Sequence, residues 1–390
     1  MRTVLYLNPS SILGGAEQSL LGLVTHLEKT LFSPLVVVPH PGPLVEQLQQ
    51  AGIRTRCIHP GRWMLRLSRR LPFLDLALSP LALAGFIKAL VQLRRLILKE
   101  NVLLIHTNGI KAHLLGGIAG RWTGHPVICH LRDVLGESWL DRGLRWGIRH
   151  LASVIIAPSE AVAQRIGRGR SKTLPLEVVP NGIDLERWRP PPLPSNPAEE
   201  QPLEYQVGIL GPLTPCKGQE IFLQAAKLVT EEIGCVRFFI VGDNSYETWD
   251  NRNFRKQLER RVDALGLQSH VTFTGLVQNP MDWIQRFDVI VSASVKPEGF
   301  GRVLLEAMTL AKPVVATATG AHPEIVEDGK TGVLVPPGAP EAMADAICRI
   351  LKDRDLRQRM GPAGRRRAEE RFSLTRHVQS IERIYRGILE

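Results

Sequence analysis

The chain has 390 residues, enough for two cores at about 100–200 residues per domain. Apolar content of 44% and charged content of 22% are ordinary for a globular protein, and five scattered cysteines (Cys57, Cys129, Cys216, Cys235, Cys348) without C-x-x-C spacing argue against a disulfide framework or a zinc site. The net charge is +11, and all of it lies in the first half: residues 1–190 hold 24 Lys and Arg against 12 Asp and Glu, residues 191–390 hold 25 against 26. A one-sided basic half fits a solvated surface, and equally an anionic partner such as a membrane surface, a nucleic acid or an acidic saccharide.

The scattered cysteines fit reduced thiols, so a cytoplasmic protein is expected; the opening "MRTVLYLNPSS" has too short an apolar run for a signal peptide and reads as a first strand. "SPLVVVP", "VLLIHTN", "PVICHL", "SVIIAPS" and "LEVVPNG" continue the strands of the first half. In the second half "YQVGILG", "VRFFIVG", "VTFTG", "FDVIVSAS", "KPVVATA" and "TGVLVPP" follow. Helical patterns lie between them at Ala16–Leu27, Lys111–Arg121, Glu160–Arg168, Gln219–Glu231, Phe254–Leu265, Leu305–Leu310 and Glu341–Lys352. Nearly uninterrupted apolar runs alternating with helices predict parallel sheets covered on both faces, and the pattern occurs twice. "RWRPPPLPSNPAEEQP" (Arg187–Pro202) has six prolines and no apolar period, so it reads as a linker. The expectation is an α/β protein of two Rossmann-like, doubly wound parallel-sheet domains facing a central cleft, with ligands beyond the strand C-termini.

Leu71–Leu93 approaches the roughly 20 apolar residues of a membrane span, but Asp75, Pro72, Pro80 and Lys88 interrupt it. It reads as buried or surface-lying helices broken at Pro80, with membrane-surface association as the second reading. Nucleic-acid binding would want clustered basic residues among stacking aromatics; Trp63, Trp122, Trp139 and Trp146 are dispersed.

Four loops are candidates for chemistry. "NPSSILGGAEQSL" puts Gly14 and Gly15 between a strand and a helix, where bare backbone and a helix N-terminus suit a phosphate; the spacing is not the dinucleotide fingerprint. "GPLTPCKGQE" offers the Lys217 ammonium to a phosphate, or is a solvated loop. "CHLRD" ends a strand with His130, Arg132 and Asp133, and a histidine there can hydrogen-bond a sugar hydroxyl or be structural. In "PEGFGRVLLEAM" Glu298 leaves a strand end, Gly299 and Gly301 expose backbone N–H groups, and Glu306 lies about one turn into a helix. A carboxylate there can accept two hydrogen bonds from a vicinal diol such as a ribose, although a glutamate near a helix N-terminus is also favoured by the dipole alone.

Glu298-x7-Glu306 within "PEGFGRVLLEAM", followed by "KPVVATATGAHPEIVEDGKTGVLVPPG", closely resembles the donor-binding region of the retaining glycosyltransferases of family 4 (glycosyl transferases group 1), which have the GT-B fold. "GGAEQSL", "VPNGIDLERW", "KGQE" and "RRRAEERFS" match that layout in order, so the resemblance covers nearly the whole chain. It implies an acceptor-binding domain at 1–186, the linker at 187–202, a nucleotide-sugar domain at 203–372 and a last helix, 373–390, crossing back to the first domain. It implies that Glu306 holds the ribose hydroxyls and that Glu298 contacts the donor sugar beside Gly299, Phe300, Gly301, Arg302 and Val303. Lys217 and the Gly15 N–H would neutralise the departing diphosphate, Gly14 lying beside them. Gly275, Leu276 and Val277 of "FTGLV" would hold the base, and His130 matches the family's active-site histidine. The implied co-substrate is a UDP-, GDP- or ADP-sugar, with a glycan or lipid-linked acceptor, no further cofactor and no bound metal; the basic half suggests a peripheral position on a membrane. Front-face attack is favoured over a covalent intermediate, which needs a nucleophile at the anomeric carbon.

One position departs from the family. Where members usually read Gly-Arg-Leu, this chain has Gly211-Pro212-Leu213. A lost charge-assisted contact costs roughly 1.5–3 kcal/mol. Either Arg302 or a basic group of the first domain compensates, or the chain is a sugar-nucleotide binding protein with weak or no transferase activity.

Overall fold

The computed structural model describes residues 2–59, 80–167, 174–189, 204–244 and 253–390. The chain divides into two compact units, Met1–Gly182 with Leu374–Glu390, and Ile183–Ser373.

The first unit alternates strands and helices: β1 (Arg2–Leu7), α1 (Gly15–His26), β2 (Phe32–Val38), α2 (Pro43–Gln50), β3 (Arg54–Cys57), α3 (Pro80–Lys99), β4 (Val102–Asn108), α4 (Ile110–Thr123), β5 (Val127–His130), α5 (Trp139–Leu151), β6 (Val154–Ala157), α6 (Glu160–Ile166) and β7 (Leu176–Val178). The strands form one parallel sheet in the order β3-β2-β1-β4-β5-β6-β7. Central strands are buried on both faces, as in "VIIA" of β6, which is why they read as apolar runs. Ser138 and Ser159 cap α5 and α6 by accepting from the backbone N–H groups of Asp141 and Val162.

The second unit repeats the design with β8 (Tyr205–Leu210), α7 (Gln219–Glu232), β9 (Val236–Val241), α8 (Phe254–Ala264), β10 (Val271–Gly275), α9 (Pro280–Arg286), β11 (Val289–Ser292), α10 (Arg302–Thr309), β12 (Val314–Thr317), α11 (His322–Ile325), β13 (Val333–Val335), α12 (Pro340–Lys352) and α13 (Arg354–Arg371). Its parallel order is β10-β9-β8-β11-β12-β13. In both sheets the winding reverses once, between β1 and β4 and between β8 and β11. Crossovers leave opposite faces at that point, so the loops there part and leave room for a ligand.

The last helix, α14 (Leu374–Leu389), belongs to the first unit. Side-chain alternation along the strands explains its place. Leu5, Leu7, Leu35 and Val37 face one core, while Val4, Tyr6, Val36 and Leu104 face the other, and Leu374, Val378, Ile381 and Tyr385 of α14 complete that second core.

The helix expected after Pro80 starts at Pro80 itself. The Leu71–Ser79 part of that segment, and the Pro190–Pro202 part of the expected linker, lie outside the described residues. Among the described residues no helix is long and apolar enough to cross a membrane.

Candidate active site

In the second unit the turn after β8 carries Lys217, and the loop after β11 carries Glu298. These strands flank the winding reversal, and the two side chains meet there: Lys217 Nζ lies 2.8 Å from Glu298 Oε2. Ser294 Oγ donates to Glu298 Oε1. His322 Nε2 stands 3.8 Å from the same oxygen, and its Nδ1 lies 2.8 Å from the Thr317 carbonyl, which accepts. Burial pushes the Glu298 carboxyl up, but the Lys217 ammonium, His322 and the hydrogen bonds from Lys217 and Ser294 outweigh it and hold the group below its ordinary value. Glu298 is therefore a fixed carboxylate with both oxygens engaged.

Two glycines allow this closeness. Gly218 has φ +71°, and a Cβ there would lie 1.9 Å from the Ala293 carbonyl oxygen. Gly320, at φ +57°, would place a Cβ 2.3 Å from the Glu298 carbonyl oxygen and 2.4 Å from its nitrogen. The Ala321 N–H also donates to the Glu298 carbonyl at 3.1 Å. The loop after β12 thus clamps the backbone of Glu298 directly.

Gly299, Phe300 and Gly301 lead into α10, which starts at Arg302 without a side-chain cap. Phe300 packs edge-on to Phe372, with centroids 6.0 Å apart, which anchors the loop. Glu306, on the first turn after Arg302 and Val303, is buried, and its Oε1 accepts from Arg302 Nε at 2.8 Å. Burial raises the Glu306 carboxyl, against the opposing pull of Arg302 and Arg187. Arg302, the candidate to replace the charge missing at Pro212, is thus next to the expected ribose carboxylate and paired with it. Pro212 contributes its carbonyl, which accepts from Gln219 Nε2 at 3.0 Å. Gly275 ends β10 at φ +68°, Leu276 is 80% exposed and Val277 packs partly onto the core. Among the described residues no group of three or more His, Cys, Asp or Glu side chains is placed to hold a metal ion.

Gly14, Gly15 and His130 belong to the first unit. Gly14 precedes α1, and its N–H already donates to Glu17 Oε2 at 3.2 Å; Gly15 opens the helix. Around the winding reversal of this sheet Asn8 donates to Glu17, Asn108 donates to Asn8 at 2.5 Å, and Arg132 donates to Asn108 and, at 2.6 Å, to Asn181. His130 closes β5 and is fully buried; its Nδ1 lies 3.1 Å from His106 Nε2. Ser294, Gly320 and His322 were not singled out in the sequence. Ser294 ends "FDVIVSAS" three positions before the motif, but "TGAHPEI" has no local spacing that announces a contact with residue 298.

The description "Glycosyltransferase Family 4" matches residues 13–187, and "Glycosyl transferases group 1" matches residues 196–367. The chain belongs to the group 1 glycosyltransferases. Among similar proteins of this group, the capsular polysaccharide biosynthesis glycosyltransferase CapM of Staphylococcus aureus is 27% identical over 80% of this chain and 83% of its own length. The alpha-D-kanosaminyltransferase of Streptomyces kanamyceticus is 33% identical over 49% of this chain and 47% of that protein. Among solved structures, Anabaena HepE in complex with UDP superposes with a TM-score of 0.81 at 25% identity, covering 99% of this chain and all of that one (100%). This glycosyltransferase therefore has the two Rossmann-like units of the GT-B fold.

Proposed function

We propose that this glycosyltransferase moves a sugar, with retention, from a nucleotide-sugar donor to a glycan or lipid-linked acceptor in cell-envelope polysaccharide biosynthesis. The observation that carries the reading is the Lys217–Glu298 pair at the winding reversal, with Glu306 one turn into the following helix. An ammonium there can offset charge on a departing diphosphate, the group that most needs stabilising when a glycosidic bond to phosphate breaks. Glu306 takes the ribose hydroxyls, Glu298 a sugar hydroxyl, Gly275–Val277 the base, and Gly14 and Gly15 the phosphates. His130 meets the transferred sugar. No metal or further cofactor is invoked, because Lys217 and backbone N–H groups supply the positive potential.

Retention is assigned to front-face attack. The Glu298 carboxylate has both oxygens engaged by Lys217 and Ser294, which disfavours it as a nucleophile. The UDP held by HepE and the capsular role in the CapM name support the donor class and the pathway. A second reading, donor binding with weak or no transfer, rests on Pro212.

Membrane-surface work has its own support. Trp122 on α4 and Trp139 and Trp146 on α5 are 53%, 61% and 65% exposed, and α4 packs against both α3 and α5. Leu83 and Ile87 of α3 are exposed, and Lys88, Arg95, Arg121 and Arg142 on these helices are exposed cations. Interfacial tryptophan with surrounding cations is the chemistry of an anionic bilayer surface.

The test is a donor panel. UDP-, GDP- and ADP-sugars are assayed by thermal shift and by slow hydrolysis without acceptor, with wild type beside Glu306→Ala. One nucleotide class should stabilise wild type and not the variant. Hydrolysis in wild type supports the transferase reading, binding without hydrolysis supports the second, and binding of no nucleotide sugar overturns both.

A further inference from the structure

Four buried side chains of the first unit form one hydrogen-bonded chain. The Tyr6 and Tyr385 hydroxyls are 2.8 Å apart. The Tyr385 hydroxyl lies 2.7 Å from His106 Nδ1. His106 Nε2 lies 3.1 Å from His130 Nδ1. All four side chains are fully buried, and among the described residues His130 Nε2 has no hydrogen-bond partner. Tyr6 and His106 are register partners on β1 and β4, so the sheet itself sets two members side by side. The third comes from α14, 279 residues beyond His106.

Each link needs one proton, and a chain of neutral groups can order its protons in two ways. In the first, Tyr6 donates to Tyr385, Tyr385 to His106 Nδ1, and His106 Nε2–H to His130 Nδ1. His130 then carries its proton on Nε2. In the second, every link is reversed. His130 Nδ1–H donates to His106, His106 to Tyr385, and Tyr385 to Tyr6. The Tyr6 proton then has no acceptor among the described residues, where its hydroxyl meets Tyr385 alone. The second order strands a buried hydroxyl donor and a bare His130 nitrogen; the first strands a single N–H. A buried unsatisfied polar group costs about 1–3 kcal/mol, so the first order is favoured.

We propose that Tyr385 and His106 are positioning residues that hold His130 as its Nε2–H tautomer, so that it presents a neutral hydrogen-bond donor to a ligand oxygen. That ligand is a hydroxyl or phosphate oxygen, and its assignment to a nucleotide sugar rests on the function proposed above. A donor at this atom cannot serve as a general base. Burial, with Arg132 and the neighbouring histidines, pushes both imidazoles well below their ordinary range, which keeps the chain neutral. The last helix thereby acquires a role beyond packing, since it supplies the hydroxyl that sets the direction of the whole chain.

The test is histidine-selective 15N labelling of the full chain, read by two-bond 15N–1H correlation, with resonances assigned through His130→Gln and His106→Gln. Wild type should show both imidazoles protonated at Nε2 and bare at Nδ1. Tyr6→Phe leaves the donation from Tyr385 intact and should keep this pattern. Tyr385→Phe removes the link to His106, and the 15N shifts of His106 and His130 should move toward a mixture of tautomers. A His130 protonated at Nδ1 in wild type overturns the proposal, whether or not any variant folds. So does a Tyr385→Phe protein whose imidazole shifts match wild type. The measurement needs no substrate, so it succeeds or fails separately from the transferase reading.

Discussion

Gly320→Ala is the sharpest test of how the site is held. At φ +57° an alanine pays about 1–2 kcal/mol of left-handed strain. Its methyl would also sit 2.3 Å from the Glu298 carbonyl oxygen, against an ordinary contact of about 3.4 Å. The obstructing atoms are backbone and cannot rotate aside, so the 298 loop must move by roughly 1 Å, and such overpacking costs about 1–3 kcal/mol more. The sum, roughly 2–5 kcal/mol, lowers the melting temperature by about 4–20 °C for a unit of this size. Displacement of Glu298 from its 2.8 Å contact with Lys217 should cut turnover by about a hundredfold, the usual penalty for a 1 Å misplacement. Gly329→Ala is the control: φ is +72°, yet a Cβ there meets nothing within 4 Å. It should pay the backbone strain alone and keep its turnover. Melting curves and transfer or donor-hydrolysis rates for both variants decide the matter. A Gly320→Ala protein that melts and turns over like Gly329→Ala would refute the clamp.

Lys217→Met removes the cation beside Glu298 and should lower turnover by about 10²–10³-fold while the chain stays folded, measured by steady-state rates beside circular dichroism. Glu298 has a folded pKa below its ordinary 4.5, so its stabilising share is present above that value and is lost as pH falls through the depressed one. The melting-temperature advantage of wild type over Glu298→Gln should therefore shrink below pH 4.5 and hold steady above it; an advantage that grows with acid contradicts the assignment. Trp139→Ser/Trp146→Ser should weaken co-sedimentation with phosphatidylglycerol vesicles without changing donor hydrolysis, and unchanged sedimentation removes the membrane face.

What was readable in the sequence follows from what each element buries. The four inner strands of the second sheet, β8, β9, β11 and β12, stand out as apolar runs because neighbours and helices cover most of their residues. β3 was missed for the opposite reason: "RTRC" is an edge strand, largely exposed and charged, with no apolar signal to read. The start of α10 was placed at Leu305 in the sequence and lies at Arg302, because Gly301 offers no capping side chain to mark it. Lys217 and Glu298 each stood in a legible loop, yet their contact spans 81 positions and is made by the neighbouring of β8 and β11. Ser294 and His322 have roles only through that packing. The same holds for Tyr385, whose meaning depends on α14 covering the sheet of the first unit.

The two cations singled out around the 298 loop are each matched to a glutamate, Lys217 to Glu298 and Arg302 to Glu306. This pairing keeps buried charges compensated, since an unpaired ion in such surroundings is strongly destabilising. The Lys217 ammonium has three donors and can keep Glu298 while it turns another N–H toward a phosphate oxygen. Arg302 holds Glu306 through Nε. With proline at position 212, the Lys217–Glu298 and Arg302–Glu306 pairs still place cations beside carboxylates in this unit.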